Sequence, residues 1–135
     1  MTLVVDASVT LAWFFKDERD AKVDALLTRA VASGMHVPAH WALEIANGFR
    51  IAIRRGRFDQ ASRQESILQL ERMPIVVDVE TSDHAWHATL RLADAFELTP
   101  YDAAYLELAQ RLRLPLATLD AQLKTAARAA AVELA

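Results

Sequence analysis

Four acidic residues, Asp6, Glu44, Asp102 and Asp120, carry the chemistry this chain can offer. Each follows or opens an element in a way that would bring it to one edge of a parallel sheet. Carboxylates gathered without basic partners repel one another unless they share protons or hold a divalent cation. Oxygen-only ligands select hard cations, so Mg2+ is the expected occupant, with Mn2+ able to substitute. Each acid also has a plainer role, because a carboxylate near a helix N-terminus caps it, a contribution of about 1 kcal/mol. Asp6 resists that explanation alone, since an acid placed directly after a buried apolar strand is costly unless something pairs with it.

The elements that must position these acids follow from the apolar pattern. Leu3-Val4-Val5 is a short apolar run ending at Asp6-Ala7-Ser8, after which Val9, Leu11, Ala12, Trp13 and Phe15 suit a buried helix. A second helix over about 19–33 stops at Gly34, and Met35-His36-Val37 forms the next strand before Pro38. Trp41, Ile45, Phe49 and Ile53 repeat every four residues and mark one stripe of a helix closed by Gly56, with Glu44 and Asn47 on a neighbouring face. A helix over about 59–72 precedes Pro74 and the strand Ile75-Val76-Val77. Residues 83–97 and then 101–112 are helical by period, Leu116-Ala117-Thr118 is a brief strand ending at Asp120, and 121–130 is helical. Val132-Glu133-Leu134 is expected to add an edge strand. Strands separated by helices imply right-handed crossovers, hence an α/β three-layer α/β/α sandwich around a short, mainly parallel sheet of four to five strands. Asp6 and Asp120 then lie at carboxyl ends of strands, where such sheets place their ligands.

Composition bounds the rest. A chain of 135 residues that is 53% hydrophobic, with three Gly and four Pro, is long enough for one sizeable core and reads as a single domain over 1–135. No cysteine is present, which excludes disulfides and thiolate chemistry and suits a reducing, cytoplasmic setting. Asp6 interrupts the only apolar N-terminal stretch, so neither a signal peptide nor a membrane partner is expected. A net charge of −3 gives no global attraction to nucleic acid, so any RNA contact must come from a local basic patch. Arg50, Arg54, Arg55 and Arg57 continue the helix that carries Glu44 and form such a patch, although a solvated face explains them equally well.

Histidine offers weaker chemistry. His84 and His87 lie three apart on one helix, but no third ligand is evident. His36 and His40 bracket a strand end and read as local hydrogen-bonding groups. Trp13, Phe14, Phe15 and Trp41 read as core or partner-contact residues rather than base-stacking platforms, with Trp13–Phe15 an exposed apolar segment suited to a homodimer. A receiver-type domain would need adjacent acids near the first strand, and a haloacid-dehalogenase-like phosphatase would need Asp-x-Asp where Asp6-Ala7-Ser8 stands.

Val4-Val5-Asp6-Ala7-Ser8, Val37-Pro38 with Leu43-Glu44-Ile45-Ala46-Asn47, the run from Tyr101 to Ala109, and Leu116-Ala117-Thr118-Leu119-Asp120 together resemble the PIN-domain ribonucleases, and more narrowly the VapC toxins of VapBC toxin–antitoxin pairs. The resemblance spans residues 3 to about 134, and its most specific segment is the Tyr-Asp-Ala-Ala-Tyr helix start. It implies a PIN-like fold and a Mg2+-dependent endoribonuclease. Asp6 and Asp102 match the core metal ligands, Glu44 and Asp120 complete or orient the shell, and Ser8, Asn47 and Thr118 match hydrogen-bonding positions beside it. It further implies RNA as substrate, a VapB-like antitoxin as partner, and a homodimer. The alternative is a catalytically silent module of the same fold that sequesters an RNA or protein.

Overall fold

Leu3, Val4 and Val5 are all fully buried, on both faces of their strand, which is the condition of a central strand in a parallel sheet covered by helices on each side. The computed structural model describes all of residues 1–135. Its sheet has four parallel strands, β1 (Leu3–Val5), β2 (Met35–Val37), β3 (Ile75–Val77) and β4 (Leu116–Ala117), in the order β3-β2-β1-β4. The register pairs Leu3 with Met35, Val4 with Leu116, and His36 with Val76. The chain steps outward from β1 to β3 and then crosses to the other side of β1, so the direction of winding reverses between β1 and β4. Ligands of such sheets sit at the carboxyl ends of the strands at that reversal.

Eight α-helical segments surround the sheet: α1 (Ala7–Ala12), α2 (Ala21–Ser33), α3 (Trp41–Arg54), α4 (Gln60–Glu71), α5 (Thr81–His84), α6 (Leu90–Phe96), α7 (Pro100–Leu112) and α8 (Ala121–Ala129). They complete the three-layer arrangement around one cluster of 30 buried hydrophobic residues. Helix α3 passes so close to α1 that a Cβ on Gly48 would lie 2.4 Å from Leu11 Cδ1, so only glycine fits without a shift at that crossing. The crossing lies between the helix that follows Asp6 and the helix that carries Glu44. No helix is long and apolar enough to cross a membrane.

Three elements differ from the sequence expectation. The helix expected over 83–97 is α5, a π-helical turn over Ala85–Thr89, and α6. The wider turn exposes Trp86 while burying Thr89, a change of register that a 3.6-residue period does not reveal. The expected edge strand at 132–134 is a single parallel bridge between Leu116 and Leu134. α8 ends at Ala129 and Ala131 turns with φ 59°, which leaves too few residues for a ladder. Trp13 and Phe15 are buried rather than exposed: Trp13 Nε1 donates to the Val23 carbonyl at 3.1 Å, and Phe15 packs edge-on against Phe49 and Phe58. Their size and aromaticity serve the core, and they supply no free surface for a second copy.

Candidate active site

Asp6 leaves β1 and immediately caps α1. Its Oδ1 accepts the Val9 backbone N–H at 3.1 Å and the Ser8 hydroxyl at 2.6 Å. Its Oδ2 accepts the Thr118 hydroxyl, contributed from beyond β4. Ser8 Oγ in turn accepts the Leu119 N–H at 3.0 Å, and Thr118 Oγ1 accepts the Asp120 N–H at 3.0 Å. The two loops at the winding reversal are therefore stitched together through one carboxylate. Asp6 is 5% exposed, and burial pushes its pKa up to about 6, against the pull of Ser8, Thr118 and Val9 and with a further rise from the charge of Asp102. Being a cap and being a candidate ligand are thus compatible here. A carboxylate oxygen has two acceptor positions, so Oδ1 is filled whereas Oδ2 keeps one free.

Glu44 sits in the first turn of α3, half-buried, and its Oε1 accepts the Tyr105 hydroxyl at 2.6 Å. Tyr105 is buried, and burial first and its hydrogen bond to Glu44 second raise its pKa, so the phenol stays a donor. His40 Nε2 lies 3.4 Å from the same Glu44 oxygen and 3.0 Å from the Tyr101 carbonyl. A carbonyl can only accept, so Nε2 carries the proton. The His40–Tyr101 and Tyr105–Glu44 contacts tie the start of α3 to the start of α7.

Asp102 stands in the first turn of α7, but Thr99 is the cap there, accepting the Asp102 backbone N–H at 3.1 Å. The Asp102 carboxylate is thereby released from capping. Its pKa is raised by burial first and by the charge of Asp120 second. Asp120 caps α8 through the Leu123 N–H at 3.0 Å and is exposed. Asp6, Asp102 and Asp120 are thus electrostatically coupled through Asp6–Asp102 and Asp102–Asp120, Glu44 joins them through Tyr105 on the helix that carries Asp102, and none of the four is paired with Lys or Arg. No three of the carboxylate and imidazole groups converge into a ready-made ligand shell. The donor set nevertheless fits a hard cation: it is oxygen-only, anionic, partly desolvated, and has an open acceptor position on Asp6.

The remaining predicted residues divide. Ser8 and Thr118 hydrogen-bond Asp6 directly, whereas Asn47 is exposed and its side chain makes no hydrogen bond, being turned to solvent one turn beyond Glu44. Arg50, Arg54 and Arg55 are exposed and enter no ion pair. Arg57 is taken: its Nη2 reaches Asp17 and Glu18, each at 3.0 Å, and its guanidinium lies over the Phe15 ring. It is therefore removed from the basic patch, because two carboxylates from the turn before α2 already neutralise it. His84 faces Glu80 and Glu107 rather than His87. Sequence reasoning gave Tyr105 and His40 no part in the site. Tyr105 lies one turn after Asp102, which is a usable signal, but its partner Glu44 is 61 residues away.

A family model described as the PIN domain matches residues 3–129. The chain belongs to the PIN-domain family, and within it to the VapC type. It is 30% identical over 123 residues to ribonuclease VapC3 of Pyrobaculum aerophilum, covering 91% of this chain and 92% of that one. It is also 30% identical over 132 residues to VapC ribonuclease Mb0985 of Mycobacterium bovis and to ribonuclease VapC9 of Mycobacterium tuberculosis, covering 94% of this chain and 92% of each. The crystal structure of PAE2754 from Pyrobaculum aerophilum superposes with a TM-score of 0.68 at 22% identity, over 93% of this chain and 84% of that one, which shows the shared fold.

Proposed function

We propose that the protein is a Mg2+-dependent endoribonuclease, the toxin of a type II toxin–antitoxin pair, acting in the cytoplasm. The observation that carries this reading is the buried Asp6 carboxylate, held by Ser8, Thr118 and Val9 at the winding reversal, beside two further aspartates that no Lys or Arg pairs. Such an arrangement costs stability and is expected where a ligand repays it. The ribonuclease names of its relatives point the same way.

Asp6 and Asp102 would hold the ion, with Glu44 and Asp120 completing or orienting the shell. When bound, Mg2+ offsets phosphate charge and lowers the pKa of a coordinated water for attack on phosphorus. Ser8 and Thr118 fix the orientation of the Asp6 carboxylate, and Tyr105 fixes that of Glu44. Hydrolysis breaks the P–O3′ bond and leaves 5′-phosphate and 3′-hydroxyl ends. Arg50, Arg54 and Arg55 lead the RNA backbone along α3 toward Glu44. A homodimer and a VapB-like antitoxin complete the assembly; the apolar groups left exposed for association include Val76, Val77, Val79 and Trp86.

The test is mapping of new 5′ ends in total cellular RNA incubated with purified, antitoxin-free protein and Mg2+, beside chelator and Asp102→Asn controls. Discrete ends absent from both controls are expected. Their absence from a folded sample would turn the reading toward a silent binding module.

A further inference from the structure

His40 is the N-cap of α3, a position where Ser, Thr, Asp or Asn is the usual choice because its side chain can accept a free backbone N–H. The His40 side chain makes no such bond. It turns toward α7 instead. Nε2 donates to the Tyr101 carbonyl at 3.0 Å and stands 3.4 Å from Glu44 Oε1, the oxygen that also accepts the Tyr105 hydroxyl at 2.6 Å. The ring meets those of Tyr101 and Tyr105 edge-on, with centroids 5.7 and 5.5 Å away. A residue that departs from the local rule for its position is most often found where function sets the geometry.

The start of α3 is anchored on two sides. On one, Trp41 Nε1 donates to Thr10 Oγ1 at 3.1 Å, and that hydroxyl donates to the Asp6 carbonyl at 3.0 Å. This ties the helix that carries Glu44 to the residue that ends β1. On the other side the tie is His40, because the carbonyl it holds belongs to Tyr101, the residue before Asp102. Glu44 follows His40 by one helical turn, its N–H donating to the His40 carbonyl at 3.1 Å. Its Oε1 is engaged by Tyr105 and faces His40, whereas its Oε2 makes no hydrogen bond. Groups that fix the orientation of a ligating carboxylate raise its affinity for the ion, since less freedom is lost on binding. We infer that His40 is a positioning residue for the cation site, holding Glu44 Oε1 and the start of α7 together so that Glu44 Oε2 and the Asp102 carboxylate serve one ion. The inference rests on the metal-dependent reading above and adds to the four acids a residue outside them.

The test titrates Mn2+ into RNA-free protein, read by electron paramagnetic resonance, for the parent and for His40→Phe, His40→Leu and His40→Gln. Phenylalanine keeps a ring and loses the donor, leucine lacks both, and the glutamine amide carries an N–H at the reach of Nε2. His40→Phe and His40→Leu should bind Mn2+ more weakly by about 10- to 100-fold, and His40→Gln should bind it as the parent does. In cleavage assays the Mg2+ concentration giving half the maximal rate should rise by the same factor for His40→Phe and His40→Leu, while KM for RNA at saturating Mg2+ stays at the parent value. Thermal melts in chelator establish which variants are folded. Parent-like Mn2+ binding by a folded His40→Phe or His40→Leu, or a loss that His40→Gln shares, overturns the inference and leaves His40 as a packing contact between α3 and α7. A parent that binds Mn2+ yet cuts no RNA overturns the ribonuclease reading instead, and the titration still decides the role of His40. A parent that binds no Mn2+ overturns the cation site and the inference with it.

Discussion

The Tyr105 hydroxyl donates to Glu44 Oε1 at 2.6 Å across 61 residues of sequence, and joins the helix that carries Asp102 to the helix that carries Glu44. The Tyr105 ring is 1% exposed, so removing the oxygen leaves the packing in place. Tyr105→Phe is expected to cost no more than about 1–2 kcal/mol of stability. Glu44 then loses the donor that fixes its rotamer, and groups that orient ligands typically affect metal affinity by about 10- to 100-fold. The Mg2+ concentration that half-saturates cleavage should rise within that range. A melting curve and a Mg2+ titration on the same sample separate the two effects; an unchanged titration would mean that Tyr105 only packs.

Asp6 makes the metal-free protein less stable as pH rises. Its pKa is pushed from 3.8 up to about 6, chiefly by burial, so between those values the folded chain binds a proton that the unfolded chain has lost. Stability therefore falls across that window, and the full penalty is present above it. The displacement corresponds to ~3 kcal/mol at most. Asp6→Asn should stabilise the chelated protein at pH 7 and have little effect near pH 4. Denaturant melts at both values check the sign, and a variant less stable than the parent at pH 7 refutes it.

Asp102 should show opposite effects on stability and activity. Burial and the charge of Asp120 both raise its pKa, so the ionised carboxylate is a cost in the metal-free fold. Asp102→Asn keeps the shape, and Thr99 still accepts the backbone N–H of residue 102, so α7 keeps its cap. The variant should melt at or above the parent temperature in chelator while losing cleavage. Loss of both together would make Asp102 a structural residue.

Much of this arrangement is legible from local pattern. Leu3–Val5, Met35–Val37 and Ile75–Val77 are bounded by Asp6, Pro38, and by Pro74 and Asp78, and the four-residue repeat from Trp41 to Ile53 marks α3. What escapes is long-range pairing. Nothing near Arg57 in sequence indicates that Asp17 and Glu18 capture it, and nothing near Trp13 indicates that Val23 will accept its indole N–H. The π-helical turn at Ala85–Thr89 escapes for another reason: one added residue in a helical ladder shifts the buried face without removing the periodic signal.

The arginines of α3 and Arg57 just beyond its end should part company in RNA binding. Arg50 and Arg54 are exposed and unpaired, whereas Arg57 already serves Asp17 and Glu18. Arg50→Ala with Arg54→Ala should weaken binding to all RNA sequences alike and reduce the slope of log affinity against log salt by about one for each phosphate that is no longer neutralised. Arg57→Ala should leave that slope unchanged. Binding isotherms at several salt concentrations decide between them, and equal slopes for the double variant and the parent would remove the patch from the RNA path.

Arg111 supplies the test of a charge network away from the acids. It meets Asp78 twice, at 2.7 and 3.1 Å, and Glu107 at 2.7 Å, joining α7 to the residue that follows β3. Glu107 is 5% exposed, and Asp78 also accepts the Thr81 hydroxyl at 2.9 Å, whose oxygen receives the Ala39 N–H at 3.0 Å just before α3. Hydrogen bonds to both carboxylates raise the guanidinium pKa, so the charge persists throughout the accessible pH range. Removing it leaves two carboxylates facing each other without a cation, one of them buried. Because Arg111 is itself partly exposed, the expected cost of Arg111→Met is about 2–4 kcal/mol rather than the full cost of breaking a buried pair. Combining it with Glu107→Gln should recover part of that loss, since the buried charge goes with its partner. Denaturant melts of the single and double variants measure the recovery; a double variant less stable than the single one would show that Glu107 contributes through its other neighbours, His84 among them.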